Sequence, residues 1–183
     1  MDSKNSFIFQ IDADWTLFLD RDGVINQRIV DGYVRNVDEF KFIDHVKEAF
    51  MLFRQKFGKI IVVTNQQGIG KGIMSEEELN VVHNHMLKEL NYSIDKVYYS
   101  PYLSELNHPS RKPNIGMALA AKQDFPAIDF EKAIMVGDTY TDILFGQKTG
   151  MKTVLIAHSN NKSIHADLQY TSLYEFAKEI ILQ

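Results

Sequence analysis

The chain contains no cysteine. Disulfide scaffolds, thiolate metal ligands and thiol nucleophiles are thereby excluded, and the absence suits a reducing compartment. No apolar run is long enough to span a bilayer, and residues 1–10 lack the basic start and long apolar stretch of a signal peptide. A cytoplasmic protein with no membrane partner is the expectation. Basic residues are not in excess: 20 Lys and Arg against 24 Asp and Glu leave a net charge of −4, which exerts no general pull on nucleic acid. Internal repeats and low-complexity tracts are also missing. What remains is an ordinary globular composition, 45% hydrophobic and 24% charged over 183 residues. This length fits one domain with a substantial core, expected to be a monomer.

Within it, one stretch stands out, TLFLDRDGVIN from Thr16 to Asn26. Its first four residues fit a short buried strand, which ends in Asp20 and Asp22 with Gly23 directly after. Buried carboxylates are costly unless paired or bound to metal. The i, i+2 spacing puts both on one side of an extended chain, and Gly23 permits a sharp turn beside them. Asp12 and Asp14 form a second acidic pair, but Trp15 follows where the first motif has glycine, so that pair reads as a decoy.

Residues 1–15 read as an N-terminal arm. After the first strand comes a polar loop, 27–42, centred on Asp31, Gly32 and Tyr33. A helix is predicted over 43–57, stopped by Gly58. Strands are predicted over 59–64, 94–99, 133–137 and 152–156, and helices over 75–90, 114–123, 139–148 and 173–181. Ser75 with Glu78 forms a capping box. This alternation implies a single α/β domain of three layers, Rossmann-like, with five parallel strands covered on both faces and no large cap. In such folds the active site lies beyond the carboxyl ends of the strands, where strand order reverses.

Those strand ends carry a consistent chemistry. The first ends at Asp20 and Asp22, the second at Thr64 and Asn65, the fourth at Asp138 with Asp142 four residues on. Lys112 lies in the run RKPN before a helix. Carboxylate oxygens suit Mg²⁺, while a hydroxyl and an ammonium suit phosphate oxygens. The glycine-rich run NQQGIGKG, 65–72, is only superficially like a Walker A loop, because Gly72 follows Lys71 where Ser or Thr is needed. The six histidines form no ligand pattern; His83 and His85 face different ways on a helix.

Taken in order, FLDRDG, the strand ending in Thr64-Asn65, Lys112 and GDTYTD resemble the four motifs of the haloacid dehalogenase (HAD) superfamily of phosphohydrolases, over roughly residues 16–156. DRDGVIN, TNQQGIGKG and RKP resemble the branch that contains heptose 1,7-bisphosphate phosphatase and histidinol-phosphate phosphatase. Asp31-Gly32-Tyr33 is more similar to the heptose enzyme. The resemblance implies Asp20 as nucleophile and Asp22 as general acid and then base. It implies Mg²⁺ on Asp20, Asp22 and Asp138, with Asp142 behind, and phosphoryl oxygens held by Thr64 and Lys112. Further substrate contacts are implied for Arg21, Asp31, Gly32, Tyr33, Asn65, Gln66, Gln67 and Arg111, the last suited to a second phosphate.

One departure is informative. Where such proteins commonly hold structural zinc, this chain has Ser100, Tyr102, His108 and Ser110. One imidazole without a thiolate does not make a tetrahedral zinc site, so the loop is expected to be held without zinc, by Pro101, Pro109 and packing of Tyr102 and Leu103. The substrate expected from the resemblance is a phosphorylated sugar, a heptose 1,7-bisphosphate ahead of histidinol phosphate. The net charge argues against polynucleotide 3′-phosphates, and the Asp20–Asp22 pair argues against a binding module without turnover.

Overall fold

A computed structural model describes residues 7–158, 161 and 163–182. Its strands are β1 (Thr16–Leu19), β2 (Lys59–Asn65), β3 (Lys96–Ser100), β4 (Ala133–Gly137), β5 (Lys152–Ile156) and β6 (Leu168–Tyr170). All pair in parallel, in the order β3-β2-β1-β4-β5-β6. Parallel strands covered on both faces need unbroken apolar runs, and TLFL, IIVV and AIMV supply them. Alternate residues of each strand feed opposite faces. Leu17, Leu19, Ile60, Val62, Ile134 and Val136 pack toward α1 (Val46–Phe53) and α5 (Leu173–Ile181), with Val82 and Met86 of α2 (Glu76–Glu89) in the same cluster. Phe18, Ile61, Val63 and Met135 pack toward α3 (Gly116–Asp124) and α4 (Tyr140–Thr149).

The register sets the site. Leu19 lies opposite Val62 on one side and Val136 on the other. Asp20 is therefore one residue past this level, and Thr64 and Asp138 two. At ~3.3 Å per residue, three side chains from three strands emerge at nearly one height. The strand order reverses around β1, whose neighbours β2 and β4 begin the two halves of the sheet.

Several expectations are corrected. The sheet has six strands instead of five: β6 is only three residues long, and DLQY carries no apolar alternation to announce it. The first helix is confined to Val46–Phe53. Before it, Ile43 N–H donates to Ile25 O at 3.0 Å, and His45 takes a left-handed conformation, φ 61°. The residues of the expected arm that are described are not peripheral. Phe7, Ile8, Ile11 and Trp15 are buried in the α1–α5 cluster, while residues 1–6 lie outside the described residues. Asp12 and Asp14 are exposed, before β1. Among the described residues no helix is long and apolar enough to cross a membrane.

Gly58 does not stop α1, which ends several residues earlier. Its N–H donates to Trp15 O at 3.1 Å, and a Cβ there would sit 2.0 Å from the Ala13 carbonyl oxygen. Because that neighbour is backbone, relief requires moving the entry to β1. Gly58→Ala is expected to destabilise the fold by ~1–3 kcal/mol, the usual range for overpacking, measured by urea unfolding.

Candidate active site

At the floor of the site the Lys112 ammonium is 2.8 Å from Asp20 Oδ1 and 2.6 Å from Asp142 Oδ1, and donates to Val63 O at 2.6 Å. An ammonium has three donors, and all three are used. Lys112 is 3% exposed. Burial alone would lower its pKa, but the charges of Asp142 and Asp20 raise it, so it stays cationic. Its backbone is pinned as well: Lys112 N–H donates to Asn65 Oδ1 at 3.0 Å, and Asn65 Nδ2 donates to Lys112 O at 3.1 Å. Asp142 Oδ2 accepts from the Thr139 N–H at 3.0 Å and the Thr139 hydroxyl at 2.5 Å, which fixes the carboxylate at the start of α4.

Asp22 is surrounded by donors. Its Oδ1 accepts from Arg21 Nη2 and Asn26 Nδ2, both at 2.9 Å, and its Oδ2 from Gln66 Nε2 at 2.8 Å. Burial pushes its pKa up, but the Arg21 charge and these three bonds outweigh it and hold the carboxyl below its usual range. The Arg21 guanidinium is itself buried, and its Nη1 lies 3.1 Å from His83 Nε2. Arginine can only donate, so His83 Nε2 is the acceptor and the ring is neutral. Burial, reinforced by the Arg21 charge, pushes the His83 pKa down to about 3.

Beside Asp20, the carboxylate oxygens of Asp20, Asp138 and Asp142 lie within 4.8 Å of one another. Gly23, at φ 94°, lets the chain pass so close to Asp138 that a Cβ would fall 2.1 Å from its Oδ2. Asn161 Nδ2 donates to Asp138 O at 2.7 Å and steadies that strand end. Arg28 reaches into the same cluster: its Nη2 is 2.8 Å from Asp22 O, 2.8 Å from Asp138 Oδ1 and 3.9 Å from Asp20 Oδ2. Burial, above all, raises the pKa of Asp20 and Asp138. Neighbouring carboxylates add to the rise, while Lys112 and Arg28 respectively draw it back. The donor set is all oxygen, largely anionic and already gathered around one cation. It fits a small hard divalent ion.

Above this floor opens a cavity of about 690 Å³. Asp20, Asp22, Thr64, Lys112 and Asp142 line it, as do Asp31, Gly32, Tyr33, Asn65, Gln66, Gln67 and Arg111. All the expected residues except Arg21 and Asp138 therefore line this cavity, from five separated segments, while Asp138 lines a neighbouring one; three of the expected side chains are committed elsewhere. Arg21 does not line the cavity and acts on Asp22. The Asn65 amide is taken by the Lys112 backbone. Gln66 bridges Asp22 and Thr64, donating to Thr64 Oγ1 at 2.9 Å. Arg111 Nη1 donates to Tyr102 O at 3.0 Å and reaches the cavity edge. Arg28 and Lys71, which also line it, were not foreseen. Lys71 Nζ lies 5.5 Å from the centre of the Tyr33 ring. Both residues sit in loops with no periodicity to mark them; the only signal was a basic residue near each acidic or glycine-rich motif.

A family model described as HAD-hydrolase-like matches residues 109–176. The D-glycero-alpha-D-manno-heptose-1,7-bisphosphate 7-phosphatase of Mycobacterium bovis is 34% identical over 171 residues, covering 89% of this chain and 90% of that protein. The chain belongs to the HAD-like phosphatases. The protein of the same name from Campylobacter jejuni is 34% identical, covering 87% of this phosphatase and 91% of itself. The crystal structure of D,D-heptose 1,7-bisphosphate phosphatase from B. bronchiseptica, complexed with magnesium and phosphate, has a TM-score of 0.79 at 23% identity. It covers 92% of this chain and 98% of that one, and shares its fold.

In this phosphatase the four positions expected to replace a zinc site do converge. Tyr102 and His108 stack with ring centres 3.4 Å apart, His108 Nδ1 lies 2.8 Å from Ser110 Oγ, and Ser110 Oγ donates to Ser100 Oγ at 3.2 Å. Two neutral serines, a phenol and one imidazole do not fit zinc. The expected anchors contribute as well: Gly70 N–H donates to Pro101 O at 3.1 Å, Gly116 N–H donates to Pro109 O at 2.9 Å, and the Leu103 side chain packs against Gly70.

The low pKa of His83 has a measurable consequence. Its stabilisation is fully present above the unfolded value near 6.5 and is lost as pH falls toward the folded value. His83→Gln keeps an acceptor for Arg21 but does not titrate. Between pH 6.5 and 4.5, wild type should lose up to ~1.4 kcal/mol per pH unit that the variant retains, read by urea unfolding at each pH.

Proposed function

We propose that this phosphatase hydrolyses the 7-phosphate of a D-glycero-D-manno-heptose 1,7-bisphosphate with Mg²⁺, through an aspartyl-phosphate on Asp20. The observation that carries the reaction is Asp20 at the floor of a cavity, one oxygen fixed by Lys112, with Asp22 two residues on and held by other partners. The two carboxylates thus have different environments and suit different roles. The substrate rests on the names of relatives 34% identical along most of the chain. It is supported by the cations Arg28, Lys71 and Arg111 around the cavity, in excess of what one phosphoryl group requires.

Asp20, the Asp22 carbonyl and Asp138 would hold the metal, and the Asp142 carboxylate, committed to Lys112 and Thr139, would stay behind them. When bound, Mg²⁺ offsets the charge of the phosphoryl group so that a carboxylate can approach it. Asp20 attacks phosphorus as nucleophile. The Thr64 hydroxyl donates to a phosphoryl oxygen, and the fixed Lys112 charge, its donors kept by the protein, stabilises the phosphoryl oxygens as their charge redistributes. Asp22 protonates the leaving alkoxide and then accepts a proton from the attacking water. Its depressed pKa suits the second task directly. The first is prepared when the substrate brings negative charge beside Asp22, which raises a carboxyl pKa. Arg21, Gln66 and Asn26 keep Asp22 in one orientation throughout. Arg111, Lys71 and Tyr33 are left to meet the remote phosphate and the sugar.

The test is phosphate release from heptose 1,7-bisphosphate, histidinol phosphate and a 3′-phosphorylated oligonucleotide, with Mg²⁺ and then EDTA. Release from the heptose, with the 1-phosphate retained and EDTA abolishing turnover, is expected. Asp20→Asn should lower kcat by about three orders of magnitude or more, as loss of a nucleophile does. Faster release from histidinol phosphate would overturn the substrate assignment. No release from any ester would overturn the enzyme reading in favour of a phosphate-binding module.

A further inference from the structure

Arg28 occupies a position that its loop does not explain. The residue is exposed overall, with 46% of its side chain accessible, yet its tip lies against one backbone carbonyl and one carboxylate and near a second carboxylate. A single nitrogen, Nη2, touches Asp22 O and Asp138 Oδ1 and approaches Asp20 Oδ2. These oxygens belong to the three groups assigned above to Mg²⁺. A nitrogen 2.8 Å from two of them fills the space between, where a metal held by the same groups would sit. The cluster also needs a cation: among the described residues, the other ion-pair partners of Asp20, Asp22, Asp138 and Asp142 are Lys112 and Arg21, and both of those are committed.

We propose that Arg28 is a displaceable counter-cation, which holds the metal-binding oxygens together until Mg²⁺ arrives and must leave for the ion to bind. The inference rests on the Mg²⁺ reading above and goes beyond it. It makes Mg²⁺ affinity the outcome of a competition inside the protein. The guanidinium has room to leave, because Arg28 lines the substrate cavity on one side and, on the other, a second cavity of about 660 Å³ bounded by Ile43, Tyr140, His158 and Asn161.

The experiment is calorimetric titration of metal-stripped wild type, Arg28→Gln and Arg28→Lys with MgCl₂, alongside melting temperatures in EDTA and in saturating Mg²⁺. Arg28→Gln should bind Mg²⁺ about tenfold more tightly, the scale set by one charge-assisted hydrogen bond that no longer has to break. It should also melt lower than wild type in EDTA and gain more on adding Mg²⁺. Arg28→Lys, which keeps the charge on a shorter side chain, should fall between. A purely structural arginine would give the opposite sign, because its loss loosens the ligands and weakens Mg²⁺ binding. Equal or weaker affinity in Arg28→Gln, with wild type binding normally, overturns this proposal alone. If neither protein binds Mg²⁺, the functional reading falls with it.

Discussion

One buried ammonium organises this molecule. Lys112 is bound by a strand end through Asp20, by a helix start through Asp142 and by the second strand through the Val63 carbonyl. A buried charge is tolerated only where its partners and hydrogen bonds are complete, and here every donor is used. The requirement acts over long sequence distances. It dictates that the loop before α3 return to the mouth of β1, which Asn65 secures by gripping both sides of the Lys112 peptide. It also dictates that α4 begin where Asp142 can face inward, which Thr139 secures. The apolar sheet sets the height of the strand ends, and this polar knot fixes what stands on them.

A gradient of solvation runs outward from that knot. Asp20 and Asp138 sit where burial opposes ionisation, and cations keep them usable. Asp22 sits where donors converge and ionisation is favoured. Two carboxylates two residues apart thus acquire opposite tendencies without any difference in side-chain chemistry. Arg21 and His83 form the hidden half of this arrangement. A neutral imidazole accepts from a guanidinium that in turn holds the acid.

How much of this was legible in the sequence depended on the range of the interaction. The five longer strands and the helix after Ser75 announce themselves through apolar runs and a local capping box, because the forces that make them act over a few residues. Asp20, Asp22, Lys112, Asp138 and Asp142 were legible because acids and a lysine beside apolar strands have little packing value. Strand β6 was not legible: Leu168–Tyr170 is a strand only because β5 offers it an edge. The true length of α1 was hidden as well, since the pairing of 41–43 with 25–27 is tertiary. Arg21, Asn65 and Gln66 lie inside motif runs, and adjacency in the chain suggested substrate contact where geometry gives them supporting work. Arg28 carried no pattern; only folding brings it to Asp138.

The ring stack of Tyr102 on His108, with its two serines, has a bearing on where such a protein can operate. A loop clamped by thiolates and a transition metal is vulnerable to peroxide, to electrophiles and to starvation for that metal. This one offers no sulfur to attack at those positions. What shapes the rim of the cavity is therefore ordinary contact chemistry, indifferent to oxidant and to trace-metal supply.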